Sequence, residues 1–476
     1  MSLSETIFAL ATPPGQSAIA IIRISGPSAH DVLGVFGVSN ITVTNKPVAQ
    51  YHRLKGVNTE VVDEVMLVLF PSVSSPTGER VSEIQCHGSH AVVQLLLGML
   101  AGVSGLRPAK PGEFSRRAFI NGKIGLIDLE GLADLINAQT SIQHRQAMNA
   151  MTGKLSSEFM VYRDALISIS SRLETIIDFS DEELPADIID GQLSDIKQLQ
   201  KQIKNLVDTY KISEQIREGV KIALIGPVNA GKSTILNALA KRDVAIVSAV
   251  AGTTRDVLEV RLDIGGIPVI LTDTAGIRES DDTVEKEGIK RAKKVARDSD
   301  ITILILDASN PHWASVFLKF EKLSSSQKLL VLNKSDLVSN VHIEQSIKDS
   351  HSSILKNLDP ILTSFKSKEI SKDYWKYNTE MVTENSADIL IEKLSDILSY
   401  MNATNSDLRI TRSWHKSACI SVYRALERAI NLDFQKEPEL VAEELRHARD
   451  ALGRLTGEVA VDDLLDNIFS SFCIGK

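Results

Sequence analysis

The chain has 476 residues, 43% hydrophobic, 24% charged and 5% aromatic. That length exceeds one ordinary core and predicts roughly three domains at about 150 residues each, in a soluble globular protein filled mainly by aliphatic side chains. The formal net charge of −8 argues against a protein that coats nucleic acid non-specifically, but not against a local basic site. Cys86, Cys419 and Cys473 offer no disulfide framework and fit a reducing compartment. The opening MSLSETIFAL lacks the basic start of a signal peptide. The longest apolar stretch, Val92–Val103, contains Gln94 and is too short to span a bilayer. A cytoplasmic chain with no membrane partner is therefore expected.

Residues 1–121 are rich in β-branched side chains and turn signals. Ala18–Ser25 and Glu64–Phe70 read as strands, Ser89–Leu100 as a buried helix, and Pro13-Pro14-Gly15, Ser25-Gly26-Pro27 and Pro111-Gly112 as punctuation. This is the pattern of an α+β domain. From 122 to 217 the period becomes helical, with Leu129, Leu132, Ala133 and Ile136 on one face. Asp178–Pro185 ends one helix and Gln192–Ile216 forms another. Residues 218–398 have α/β texture: a strand at Val220–Ile225, a hairpin of Val257–Ile264 and Ile267–Thr272 joined at Gly265-Gly266, and buried strands at Asp300–Asp307 and Lys328–Asn333. Residues 338–398 carry no clear period. In 399–476, Val441, Leu445, Ala448, Leu452 and Leu455 step by four and three, the spacing of a packed helical seam. Leu464, Leu465, Ile468, Phe469 and Phe472 mark a last amphipathic helix. An α/β domain inserted between two helical segments that pack together is the expectation.

The strongest chemical signal is Gly226-Pro-Val-Asn229-Ala230-Gly231-Lys232-Ser233, followed by Thr234. It matches the phosphate-loop pattern and lies between a predicted strand and a predicted helix, Ser233–Leu239. Glycines let backbone N–H groups curl around phosphate oxygens at a helix N-terminus. Lys232 reaches the β/γ-phosphates and Ser233 ligates Mg²⁺. Downstream come Gly252-Thr253-Thr254-Arg255-Asp256, then Asp273-Thr274-Ala275-Gly276, then Asn333-Lys334-Ser335-Asp336. Thr254 is the candidate that closes on Mg²⁺ and the γ-phosphate, and Asp273 holds Mg²⁺ through water. Asp336 accepts the guanine N1–H and N2–H; adenine offers no matching donor pair, so GTP is selected over ATP. The fifth motif of such enzymes, a base-contacting Ser-Ala-x, has two degenerate candidates, Leu362-Thr-Ser364-Phe365 and Glu384-Asn-Ser-Ala387.

The segment ATPPGQSAIAIIRISGP, the PGEFSRRAF stretch at 111–119 and the terminal FCIGK carry a further signal. In these and in motif order the chain resembles the MnmE (TrmE) family of bacterial tRNA-modification GTPases along its whole length. The resemblance implies an N-terminal α+β domain of folate-binding type, a discontinuous helical domain and an inserted Ras-like P-loop GTPase domain. It implies that Glu285, rather than a glutamine after Gly276, orients the attacking water, since Ile277 stands there. It places K⁺ where other GTPases use an arginine finger, with Asn229, Ser248, Val250 and Thr253 as ligands from the phosphate loop and from Ser248-Ala249-Val250-Ala251-Gly252-Thr253. It places 5,10-methylene- or 5-formyl-tetrahydrofolate against Arg23, Glu83, Lys123 and Lys476. Cys473 is either a nucleophile toward uridine or part of a tail docked at the folate site. The implied partners are a second copy of the chain, an FAD-containing MnmG-like protein in a heterotetramer, and tRNA, on whose wobble uridine an aminomethyl-type group is installed. A ribosome-assembly GTPase that binds rRNA fits the generic motifs equally well, but such proteins commonly add an RNA-binding domain such as KH, and the sequence offers no convincing one. A zinc site at Cys86-His87-Gly-Ser-His90 lacks a second ligand pair.

Overall fold

The structure is a computed structural model. It describes residues 5–56, 58–178, 186–242, 244–246, 259–273, 294–320, 327–350, 352–357, 360–365, 386–403, 410–457, 469 and 475. By its contacts the chain divides into two compact units. One comprises Met1–Ala133, Met148–Lys204 and Ser417–Lys476, the other Asp134–Ala147 and Asn205–Lys416.

In the first unit, β1 (Thr6–Leu10), β2 (Ser17–Ser25), β3 (Val48–Lys55), β4 (Val61–Phe70), β5 (Val81–Gly88) and β6 (Leu106–Pro108) form a six-stranded sheet of order β3-β4-β5-β2-β1-β6. All neighbours are antiparallel except β1 and β6. Alternation along the strands sends Ile22, Ile24, Leu67, Leu69, Ile84 and Cys86 to one face. There they pack with Val93, Leu96 and Leu100 of α1 (His90–Ala101). The other face carries Arg23, Glu83 and the exposed Tyr51 and Met66. Both predicted strands are present, β4 beginning three residues earlier than Glu64, and the predicted helix is α1 with Ser89 as its N-cap.

Then come α2 (Glu113–Ile120), α3 (Leu126–Asn137), α4 (Ser141–Met151), α5 (Lys154–Asp178) and α6 (Ala186–Glu218). Helix α5 stops at Asp178, where the sequence places a break; α6 begins before Gln192.

The second sheet contains β7 (Val220–Ile225), β8 (Glu259–Ile264), β9 (Ile267–Asp273), β10 (Ile301–Asp307), β11 (Gln327–Asn333) and β12 (Ile361–Thr363) in the order β12-β11-β10-β7-β9-β8. All pairs are parallel except β8 with β9. Both faces are covered, which is why these strands read as nearly continuous apolar runs. On one face Ile222, Leu224, Ile303 and Ile305 meet Ile235 and Leu239 of α7 (Lys232–Ala240). On the other, Ala223, Ile225, Leu304 and Leu306 meet Trp313 and Phe317 of α8 (Trp313–Phe320). The stretch 338–398, unreadable by period, contributes α9 (Asn340–Asp349), α10 (Ser353–Asn357), β12 and the start of α11 (Ser386–Ala403).

The first half of α4 belongs to this second unit, although the sequence groups it with the helical segment 122–217. Ile142 is buried in the core of the second sheet, and a Cβ on Gly266 would lie 2.9 Å from its Cδ1. Gln143 and Gln146 donate through Nε2 to the Arg217 and Ser213 carbonyls, each at 3.0 Å.

The chain then forms α12 (Ser413–Asn431) and α13 (Pro438–Thr456). The predicted seam of α13 is buried, and α13 packs along α5, which buries Leu155, Phe159, Tyr162, Leu166, Ile169 and Leu173. Helical segments on either side of the inserted sheet therefore share one core. Of the predicted last helix only Phe469 is among the described residues, buried against Leu129.

Candidate functional site

Strand order reverses at β7, which has β10 on one side and β9 on the other. Such a switch point leaves a crevice beyond the strand C-termini, and the loop of Gly226–Gly231 emerges into it. Its backbone is highly constrained. Gly226 has φ 157°, and a Cβ there would lie 2.0 Å from the Ile305 carbonyl oxygen. Gly231 has φ 100°, and its Cβ would lie 2.1 Å from Asn333 Nδ2. Asn229 takes the left-handed region with φ 64°, a conformation Asn tolerates better than most residues. The loop then feeds directly into α7, whose unpaired N–H groups face the same space.

Lys232 curls back over the loop. Its Nζ donates to the Gly226 and Pro227 carbonyls at 2.9 and 2.8 Å. Burial pushes its pKa below the ordinary lysine value, against the opposing pull of Asp273. Ser233 Oγ donates to Asp273 Oδ2 at 2.8 Å, and Asp273 is fully buried at the end of β9. Two oxygen ligands of the kind Mg²⁺ prefers thus meet beside the phosphate loop.

The candidate base-reading motif, Asn333–Asp336, lies at the end of β11. Asn333 is buried and donates through Nδ2 to the Ala230 carbonyl at 2.9 Å, tying this motif to the phosphate loop. Lys334 has φ 61° and pairs with Asp307, holding the Asp307 carboxyl below its usual range against the upward push of burial. Ser335 Oγ donates to the Thr363 carbonyl at 3.1 Å. Asp336 is left exposed, and among the described residues it makes none of the anchoring contacts of its neighbours. The two candidates for the fifth motif meet: Ser364 N donates to Ser386 Oγ at 2.9 Å, and Ser386 Oγ donates back to the Ser364 carbonyl. Both lie beside Asn333, because β12 pairs Thr363 with it.

In the first unit, Arg23 on β2 and Glu83 on β5 are cross-strand partners. Arg23 Nε and the Glu83 Oε1 are 2.9 Å apart, and the guanidinium lies 5.8 Å from the Phe114 ring centroid. Lys123 is held elsewhere, donating from Nζ to the Val73 carbonyl at 2.7 Å.

Two family descriptions match this chain: the GTP-binding protein TrmE N-terminus over residues 6–123, and the MnmE helical domain over residues 126–473. Curated relatives match end to end. The tRNA modification GTPase MnmE of Pelagibacter ubique is 40% identical over 99% of this chain and 100% of its own length. That of Paramagnetospirillum magneticum is 38% identical over the whole of both chains, and one from Cereibacter sphaeroides is 40% identical over 99% and 100%. The chain belongs to the MnmE family. It is a multidomain GTP hydrolase of the tRNA-modification class, with an α+β N-terminal domain, a discontinuous helical domain and a P-loop GTPase domain.

Several MnmE-family candidates lie outside the described residues: Ser248, Ala249, Val250, Ala251, Gly252, Thr253, Thr254, Thr274, Ala275, Gly276, Glu285, Cys473 and Lys476. Cys86 is a core residue. Its Sγ donates to the Ala20 carbonyl at 3.5 Å, and burial pushes the thiol up to about 11. Cys419 is likewise buried and pushed up to about 12.

A buried ionic network near Arg23 escaped sequence reasoning. Arg107 reaches Glu113 and Glu5, while Arg117 reaches Glu113 at 3.3 Å and Glu79 at 2.8 Å. Burial would raise the Glu113 carboxyl, but hydrogen bonds from Arg107 and the Lys110 amide take it down to about 2. The network fixes α2, which carries Phe114 beneath Arg23. Only the charge density of Glu113-Phe-Ser-Arg116-Arg117 hinted at it.

Proposed function

We propose that this GTP hydrolase is K⁺-dependent and works with an FAD-containing, MnmG-like partner. Together they install an aminomethyl-type group at C5 of the tRNA wobble uridine, using a folate one-carbon unit. The observation that carries the reading is the presence, in one chain with end-to-end MnmE relatives, of two separate polar sites: the Lys232–Ser233–Asp273 cluster and the Arg23–Glu83 pair.

At the first site, the chain's own groups bind and orient. Lys232 is held on two carbonyls with its charge disfavoured by burial, so an arriving anionic phosphate offers it a better partner. Backbone N–H groups of Asn229–Thr234 cradle the phosphates, and Asp336 selects guanine. Ser233 and Thr254 are the Mg²⁺ ligands, with Asp273 behind Ser233. The bound cations supply positive charge to the phosphoryl oxygens. Asn229 is the side-chain ligand for K⁺, with Ser248, Val250 and Thr253. Glu285 orients the attacking water.

At the second site, Glu83 accepts from the pterin N–H groups while Arg23 and Lys476 balance the glutamate tail, joined by Lys123 once it leaves the Val73 carbonyl. Cys473 is a candidate nucleophile toward uridine, acting from the terminal FCIGK. The active form in this reading is a homodimer that joins the FAD protein as a heterotetramer.

The decisive experiment is mass spectrometry of tRNA nucleosides from cells lacking this protein. Loss of the C5-modified wobble uridine is expected, and unchanged wobble uridines overturn the reading. Hydrolysis in K⁺ against Na⁺ at equal ionic strength tests the cation separately; equal rates remove K⁺.

A further inference from the structure

An acidic protein that acts on tRNA must gather positive charge locally, because phosphate contacts dominate nucleic-acid affinity. Many of its arginines are committed to carboxylates: Arg107 to Glu113, Arg117 to Glu79, Arg172 to Asp195 and Arg428 to Glu444. Helix α6 departs from that pattern. Lys197, Lys201 and Lys204 are all exposed, and none of the three is paired among the described residues.

At 3.6 residues per turn these lysines fall within about 60° of one another around the helix, along about 10 Å of its length. They lie on the side away from Ile196, Leu199 and Ile203, which α6 buries. Asp195, just before the stripe, is engaged by Arg172 at 2.7 Å, and Asp208 closes it at the other end. Between the lysines, Gln198, Gln202 and Asn205 are exposed as well. From 197 to 205, every exposed side chain is therefore a lysine or an amide, and none is apolar.

That composition decides the class of partner. Protein interfaces are depleted in lysine and anchored by aromatic and apolar side chains. Phosphate and sugar oxygens accept hydrogen bonds from Lys, Asn and Gln. We propose that this face of α6 is a contact surface for the sugar–phosphate backbone of tRNA. The inference rests on the tRNA reading above. Contacts of this kind fix the position of the RNA and carry no sequence information, so the surface serves any tRNA that the modifying site accepts.

The test is anisotropy of a labelled tRNA bearing a wobble uridine, titrated with the full-length chain across a series of KCl concentrations. The triple variant K197Q/K201Q/K204Q is compared with K197R/K201R/K204R. Gln, Lys and Arg have similar helix propensities, and none of the three positions belongs to the GTP site, so basal GTP hydrolysis stays at the parent rate in both variants. The Gln variant is expected to bind tRNA at least about tenfold more weakly, with a salt slope reduced by about one per lysine; the Arg variant binds like the parent. A parent chain that binds no tRNA overturns the tRNA reading and this surface with it. A parent that binds, with a Gln variant of unchanged affinity and salt slope, overturns the surface alone. Equal losses in the Gln and Arg variants also overturn it, since charge is then not the cause. If the Gln variant keeps tRNA but loses a protein partner, α6 is a protein interface instead.

Discussion

The sheet centred on β7 is mostly parallel, covered on both faces, and presents its site at the strand ends. The sheet containing β2 and β5 is mostly antiparallel, covered by α1 on one face, and presents Arg23 and Glu83 on the other. The phosphate loop of the first site is made largely of backbone, with loop N–H groups, positive φ angles and a helix start contiguous in sequence, and Asp273 and Asn333 are brought to it from other strand ends. The second is made of side chains brought from strands sixty residues apart and steadied by Phe114 on a helix further on. A backbone loop of this kind is intolerant at its glycines, where a Cβ meets backbone or a buried side chain, whereas a site built of side chains on a pleated surface degrades by single contacts.

The sharpest way to break that comparison is at Gly226. Gly226→Ala places a methyl 2.0 Å from a backbone carbonyl oxygen at a φ of 157°, so GTP binding and hydrolysis should fall to background while folate binding persists. Filter binding of both ligands checks this; a variant that still binds GTP would show that the loop has slack.

Next in size is Glu285→Ala. A group that orients water acts on the transition state, so single-turnover hydrolysis should drop about 10²–10⁴-fold with GTP affinity near the parent's. Asp281→Ala and Glu287→Ala are expected to be near silent. A defect confined to GTP affinity would remove Glu285 from the role.

Asp336→Asn exchanges an acceptor for a donor. GTP affinity should weaken on the order of 100-fold, since two charge-assisted hydrogen bonds are lost, and preference should move toward xanthosine triphosphate. Competition between the two nucleotides reads this directly, and unchanged preference refutes the assignment.

On the other sheet, Arg23→Gln should weaken tetrahydrofolate binding by about 10- to 100-fold and leave GTP hydrolysis unchanged. Calorimetry with folate and a parallel GTPase assay sharpen the contrast between the sites.

The smallest effect concerns acid stability. Glu113 sits at about 2, against an ordinary 4.5. A depressed carboxylate contributes stability that is full above the unfolded value and lost as pH falls from about 4.5 toward 2, at most about 3 kcal/mol. Glu113→Gln should flatten that part of the melting-temperature profile relative to the parent. An unchanged acid slope would remove Glu113 from the linkage.

Much of the GTPase half was legible in sequence because its motifs are local. Gly226–Ser233 and Asn333–Asp336 each fold into a loop at a strand end, and the apolar runs of β7, β10 and β11 announce strands buried on both faces. The seam of α13 was equally plain, as a periodic stripe needs only one helix to be read. What the stripe packs against was not: α5 lies more than 250 residues earlier in the chain.

Sequence by itself determined the phosphate loop, the Asn333–Asp336 loop at a strand end and the order of the elements, since each depends on backbone conformation over a few residues. Tertiary structure alone decided four further features. It buried Cys86 as a core thiol, joined Arg107, Glu113 and Arg117 into one network, placed Ile142 in the GTPase core, and brought Ser364 to Ser386 beside Asn333. Each of these is a contact between residues distant in the chain. Nothing in the local pattern of either partner specifies the other, and only the packing of whole elements selects the pair.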